Sequence, residues 1–168
     1  MKISDQFAQK RLNLLMKVVQ KTLGYEQKLA AEVTILDKNE MTELNSFYRR
    51  KKSPTDVLSF EAPEPFRSYG LMGELLICGD VLEKQAKAMK HSSQKELDIL
   101  LVHGVLHLMG YDHEKSKREA QMMADLEQKV LVNLKQKSAK GLIERVAPQR
   151  VAKAKPARVS KKKTSRRK

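Results

Sequence analysis

The sequence predicts an α+β fold, a small mixed sheet packed by helices, and three observations predict it. Helical and strand-like periodicities follow one another in the order helix, strand, helix, strand, strand, helices. The segments between them are short and carry recognisable start and stop residues. Charge then separates this region from the rest. Of a net charge of +14 over 168 residues, +13 lies in Lys135–Lys168, where 14 Lys and Arg meet a single acid, Glu144. The first 134 residues hold 20 bases and 19 acids. Two parts are therefore expected: a near-neutral folded domain over 1–134 and a basic tail over 135–168. A domain of this size buries roughly two-thirds of its unfolded surface and needs no disulfides.

Residues 5–23 place Leu12, Leu15, Val19 and Leu23 at helical spacing and meet Gly24, a residue suited to the left-handed position past a last turn. Glu32–Asp37 (EVTILD) alternates and is β-branched, the pattern of a strand. Asp37 and Glu40 have the spacing of a capping box, opening a helix that carries Leu44, Phe47 and Tyr48 and ends before Pro54. Thr55–Phe60 (TDVLSF) reads as a second strand. EAPEPFRSYG, with two prolines, reads as a loop, and Gly73–Cys78 (GELLIC) as a third strand. Asp80 is expected to cap a helix from Val81 to about Lys90. Ser93 and Glu96 suggest a second capping box, opening a helix that runs to Met109 and stops at Gly110. A last helix, from about Lys115 to Leu134, keeps Met123, Leu126, Val130 and Leu134 on one face. No internal repeat is present.

Several classes fall away. One cysteine makes no disulfide framework, and Cys78 lies in the apolar run LLIC, as a buried thiol in a reducing compartment would. The N-terminus lacks the apolar stretch of a signal peptide, and no apolar run is long enough to span a membrane. The expectation is a soluble, cytoplasmic protein. The tail, ending VAKAKPARVSKKKTSRRK, has no aromatic residues and too little apolar surface to offset ordering entropy, so disorder is expected. Two readings of it stand: a solubilising appendage, or a sequence-independent grip on nucleic-acid phosphates with steep salt dependence.

Three of the four histidines fall in HGVLHLMGYDH, from His103 to His113. His103 and His107, four apart on a helix, share one face a turn from each other. Gly110 lets the chain reverse, and His113 follows on the return loop. Two helical nitrogens and one from the loop form a three-histidine site with its fourth position open, the arrangement of a catalytic metal. With 4 His and 7 Gly in the chain, chance produces this spacing roughly once in 10⁴ such sequences, so accident is a poor explanation. His91 stands alone near a helix end and reads as structural. The spacing is that of the zinc peptidase signature H-E-x-x-H-x-x-G-x-x-H, but Gly104 occupies the position of its catalytic glutamate. The ligands are kept and the base is gone, which argues against an ordinary peptidase.

HGVLHLMGYDH resembles the signature of the bacterial YbeY family, metal-dependent endoribonucleases implicated in ribosomal RNA maturation. LNSFYRRKKSPTDVLSF, from Leu44 to Phe60, is similar to that family's L-N-x-x-Y-R-x-K-x-x-P-T-D-V-L-S-F segment. GELLICGDVLEKQA and MMADLEQKVL are similar to its strand-and-helix and final-helix segments, so the resemblance covers roughly residues 5–134. There are departures. Glu74 stands where the family usually has Asp, Lys52 where an acid is common, and Glu61 where proline is usual. The N-terminus is short for the family's first strand, and the basic tail lies outside the shared region.

The resemblance implies a single-strand-preferring, zinc-dependent endoribonuclease, acting in ribosomal RNA maturation and ribosome quality control. It implies one Zn²⁺ per chain on His103, His107 and His113, and ribosomal RNA and the ribosome, its small subunit above all, as partners. Such a zinc ion lowers the pKa of its water to about 7 and acts as a Lewis acid on a phosphoryl oxygen. Arg49, matching the family's arginine and preferred here over Arg50, is the candidate to grip the phosphate in two-point geometry. Asp112, Glu74 and Ser59 are candidate supporting residues. Asp112 either orients an imidazole or caps the next helix, and Glu74 is a candidate replacement for the base missing at Gly104. Ser59 and Asp56 are candidates to face the cleft, and Cys78 is a weaker candidate for a fourth ligand. Two other functions stand beside this one: a hydrolase of another bond, peptide above all, and a non-enzymatic ribosome-assembly factor with a structural zinc.

Overall fold

The structure is a computed structural model and describes residues 3–146; the expectations for residues 147–168 lie outside the described residues. Helix α1 (Asp5–Leu23) starts at Ser4, whose hydroxyl accepts from the Phe7 amide, and ends at Gly24 in the left-handed region. Strands β1 (Ala30–Leu36), β2 (Val57–Glu61) and β3 (Leu71–Cys78) form one sheet of order β1-β3-β2. β3 is central, parallel to β1 and antiparallel to β2, so the sheet is mixed as expected. The expected loop after β2 contains a short 3-10 turn, Phe66–Tyr69.

Register sorts the side chains onto two faces. Leu75 lies opposite Val33 and Ser59, and Ile77 opposite Ile35 and Val57. These residues face the main core, built from α1, α4 (Ser93–Leu108) and α5 (Lys117–Val146), where Leu12, Leu15, Leu101, Val105, Met123 and Leu134 are all buried. The alternate residues Leu58, Leu76 and Cys78 face a smaller core closed by Met41 and Leu44 of α2 (Lys38–Arg49) and by Val81 of α3 (Gly79–Ala88). Among the described residues no strand precedes α1. The exposed edge of β1 is instead covered by side chains of α1: Gln9 bonds the Ala31 carbonyl and the Val33 amide, and Asp5 accepts from the Ile35 amide at 2.7 Å.

Several local expectations change. The capping box of Asp37 and Glu40 forms as read, but Asp80 does not cap α3; it accepts from the Lys38 amide and ties α3 to the start of α2. The residue before α4 is Ser92, which accepts from the Lys95 amide, and Ser93 is the first helical residue. Glu96 is buried and paired at 3.1 Å with His91, which is structural as expected. On α2 the buried residues are Met41 and Asn45, while Phe47 and Tyr48 point out. α5 is capped by Ser116 and continues past Leu134 to Val146. No helix among the described residues is long and apolar enough to cross a membrane.

Candidate metal centre and its cleft

α4 is buried along most of its length, so its orientation is set by the core, and His103 and His107 emerge together on its one half-exposed face. Their Nε2 atoms approach to 3.1 Å. After Met109 the chain turns through Gly110 at φ 89°, held by the Gly110 and Tyr111 amides donating to the His107 and Leu106 carbonyls. His113 returns to the same point: one ligand atom from each of the three imidazoles lies within 4.8 Å of the others.

The donor chemistry fits a cation. Nδ1 of His103 lies 2.7 Å from a carboxylate oxygen of Glu127 on α5. An ionised carboxylate only accepts, so Nδ1 carries the proton and Nε2 presents its lone pair to the cluster. Burial, and then the neighbouring His103 and His113, hold the His107 imidazole below its usual pKa, which keeps it a neutral ligand. Three imidazole nitrogens thus face one point, two of them 3.1 Å apart.

Around this point lies a cleft of about 730 Å³, lined by Arg49, Lys51, Asp56, Val57, Ser59, Glu61, Asp112 and Glu114 with the histidines. Val57, Ser59 and Glu61 reach it because they share the α4 face of edge strand β2. Arg49 is exposed and has no ion pair among the described residues, whereas Arg50 ends α2 at φ 58°. The loop that carries Lys51 is fixed by the buried Asn45, whose amide donates to the Ser53 carbonyl at 2.6 Å. The cleft carboxylates are mostly engaged. Asp56 accepts from the Val57 amide and from Gln85, and Glu61 pairs with Arg67. Asp112 accepts from the Glu114 amide, which together with Lys115 holds its carboxyl below the usual range.

Of the residues singled out from sequence, the three histidines, Arg49, Asp56, Ser59 and Asp112 come together in the cleft. Glu74 does not. It shares the opposite sheet face with Leu76 and Cys78 and accepts from the Thr34 hydroxyl, so it cannot stand in for the missing base. Cys78 is buried on that far face and is no fourth ligand. Asp112 does not cap α5, which Ser116 caps, and among the described residues it makes no hydrogen bond to an imidazole; it closes a turn by accepting from the Glu114 amide. Glu127, which does hold an imidazole, was missed. Its signal was a carboxylate four residues after Met123 and three before Val130, at the edge of a buried helical stripe.

Gly104 acquires a reason. α4 lies so close to β3 that a Cβ there would stand 2.7 Å from a methyl of the fully buried Leu75 and 3.4 Å from the Ser59 hydroxyl. The position that bears a glutamate in the peptidase signature can take a side chain only if the buried Leu75 shifts.

The chain is also similar to known proteins over most of its length. The family described as Endoribonuclease YbeY matches over residues 1–135. The chain is similar to the Endoribonuclease YbeY of Aquifex aeolicus, with 46% identity over 98 residues, which cover 58% of this chain and 65% of that protein. It is also similar to that of Staphylococcus saprophyticus, with 37% identity over 130 residues covering 74% and 84% of the two chains. Among solved structures, a Thermotoga maritima protein determined in solution superposes with a TM-score of 0.55 at 28% identity, covering 84% of this chain and 93% of that one.

Proposed function

The chain belongs to the endoribonuclease YbeY family, and from that premise we propose that it is a single-strand-preferring endoribonuclease of ribosomal RNA maturation and ribosome quality control, holding one Zn²⁺ through His103, His107 and His113. It acts in the cytoplasm, where its RNA is made, and meets that RNA on the ribosome, its small subunit above all. One observation carries the reading: three imidazole nitrogens converge in a cleft whose wall also bears the guanidinium of Arg49, without an ion pair among the described residues, and the ammonium of Lys51. A phosphodiester is an anion with two equivalent oxygens, which such a wall complements and a peptide bond does not use.

Zinc suits three imidazoles with one open position, and when bound it supplies an activated oxygen nucleophile near neutral pH and positive charge facing the phosphoryl group. The chain's own residues supply the rest. Arg49 holds two phosphoryl oxygens and offsets the charge that builds on them. Lys51 adds a mobile point charge on the same wall. Glu127 fixes the tautomer and ring orientation of His103, and the bare backbone at Gly104 lets α4 seat against the sheet. The basic tail raises the concentration of the enzyme on RNA through phosphate contacts.

The test compares wild type, His107→Ala, Arg49→Ala and His113→Ala on one labelled ribosomal RNA precursor, with casein digested in parallel and metal read by mass spectrometry. Wild type should carry about one zinc and cut RNA but not casein. His107→Ala should lose both metal and cutting. Arg49→Ala should keep the metal and lose cutting by about 10²- to 10³-fold. His113 is exposed, so His113→Ala should lose metal with its helical circular dichroism retained. Zinc-loaded, rigorously purified protein that never cuts RNA would overturn the nuclease assignment, and unfolding of His113→Ala would make the metal structural.

A further inference from the structure

Phe47 and Tyr48 are 79% and 57% exposed, although each carries enough apolar surface to favour burial. They are not loose. Tyr48 lies between Phe47 and Phe60, with ring centroids 4.9 and 4.8 Å apart in edge-to-face geometry, and Phe60 packs into the smaller core. The three rings make a row running from that core out to solvent. Arg49, Arg50, Lys51 and Lys52 follow directly, with no ion pair to any of them among the described residues. Consecutive residues of this basic segment open on two depressions. Lys51 lines the histidine cleft with Arg49, while Lys52 lines a neighbouring groove with Phe47, whose wall is completed by Thr42, Glu43 and Ser46. The Asn45 side chain and the left-handed Arg50 fix the segment that divides them.

We propose that Phe47 and Tyr48 are a nucleobase-stacking platform beside the histidine cleft, occupied by a nucleotide flanking the scissile phosphate, with Lys52 on the adjoining phosphate. The inference rests on the RNA reading of the cleft and deepens it. Exposed aromatic rings beside cations that have no ion pair among the described residues suit a single strand, which offers both flat base faces and phosphates. A duplex keeps its base faces stacked on one another and has none to offer Phe47, so the platform gives the single-strand preference a physical basis. An acidic polypeptide would answer the cations but leave the rings uncovered.

The chain contains no tryptophan, so full-length, zinc-loaded Phe47→Trp carries one indole reporter at the site. It is titrated with a short single-stranded DNA, with an abasic strand of equal length and charge, and with the corresponding duplex. The expected result is quenching by the single strand and none by the abasic strand or the duplex. In parallel, Phe47→Ala and Tyr48→Ala should each weaken single-strand binding by about tenfold, with zinc content and duplex binding unchanged. Tyr69→Ala, at an 84% exposed ring outside both depressions, should behave as wild type. Single-strand binding without quenching, or an equal loss on the abasic strand, would overturn the platform while leaving the nuclease assignment standing. No binding of any single strand by wild type, even at low salt, would instead sink the RNA reading beneath it.

Discussion

Removing the carboxylate of Glu127 should weaken zinc binding in two distinct steps. In the structure its oxygen lies 2.7 Å from Nδ1 of His103, with the two side chains 29% and 32% exposed. A hydrogen bond to a charged group contributes about 1.5–3 kcal/mol net, and this exposure places the pair near the lower end. Glu127→Gln keeps an accepting oxygen at the same place but loses the charge. About 1 kcal/mol of orientation and ligand basicity goes with it, a roughly fivefold weaker zinc affinity. Glu127→Ala frees the imidazole to rotate and to take the other tautomer, and losses of about 10- to 100-fold are usual for such outer partners. Zinc competition against a chromophoric chelator reads both values, with circular dichroism as a control for folding. Because Glu127 is not placed to touch the phosphate, RNA cutting should return in both variants at saturating zinc. An alanine variant that binds zinc as tightly as wild type would refute the tautomer argument, and so would a glutamine variant weaker than alanine.

Three further outcomes follow from the packing. Gly104→Ala gains about 1 kcal/mol of helix propensity but overpacks Leu75 at a cost of about 1–3 kcal/mol, so denaturant titration should show a net loss of up to about 2 kcal/mol. Gly104→Glu should lose more and gain no peptidase activity, and a Gly104→Glu variant as stable as wild type would be the contrary result. Burial pushes the Glu96 carboxyl above its ordinary value, with His91 only partly opposing it. The folded state then holds its proton more tightly than the unfolded state, so wild type should lose stability relative to Glu96→Gln as pH rises from about 4, through the raised pKa, to about 7; parallel stability curves for the two proteins would contradict this. Truncation after Val146 removes ten Lys and Arg and no acid while keeping the buried Val130 and Leu134. Melting temperature should hold and the salt dependence of RNA binding should flatten, and an unchanged salt slope would assign the tail to solubility alone.

The features legible in the chain before folding are those that local backbone geometry dictates. His103 and His107 share a face because four residues make about one turn, and Gly110 permits the left-handed reversal that brings back His113. The Asp37 and Glu40 capping box and the Gly24 stop were legible for the same reason, as was the order of strands and helices. The family segments led to Arg49 because they carry that information as spacing. Packing between elements settled the rest. Whether Glu74 faced the metal helix depended on the register of β3 against its neighbours, and a period of two puts it on the far face. Asp80 and Ser93 looked like caps, but Asp80 bonds a helix 42 residues away and Ser92 takes the capping place. The exposure of Phe47 and Tyr48 depended on which side of α2 met the sheet. Glu127 reaches His103 across 24 residues of sequence only because α4 and α5 pack together. A residue's own dihedrals fix its neighbours within a turn or two, whereas contacts between elements are fixed by burial of the whole core, which no single segment encodes.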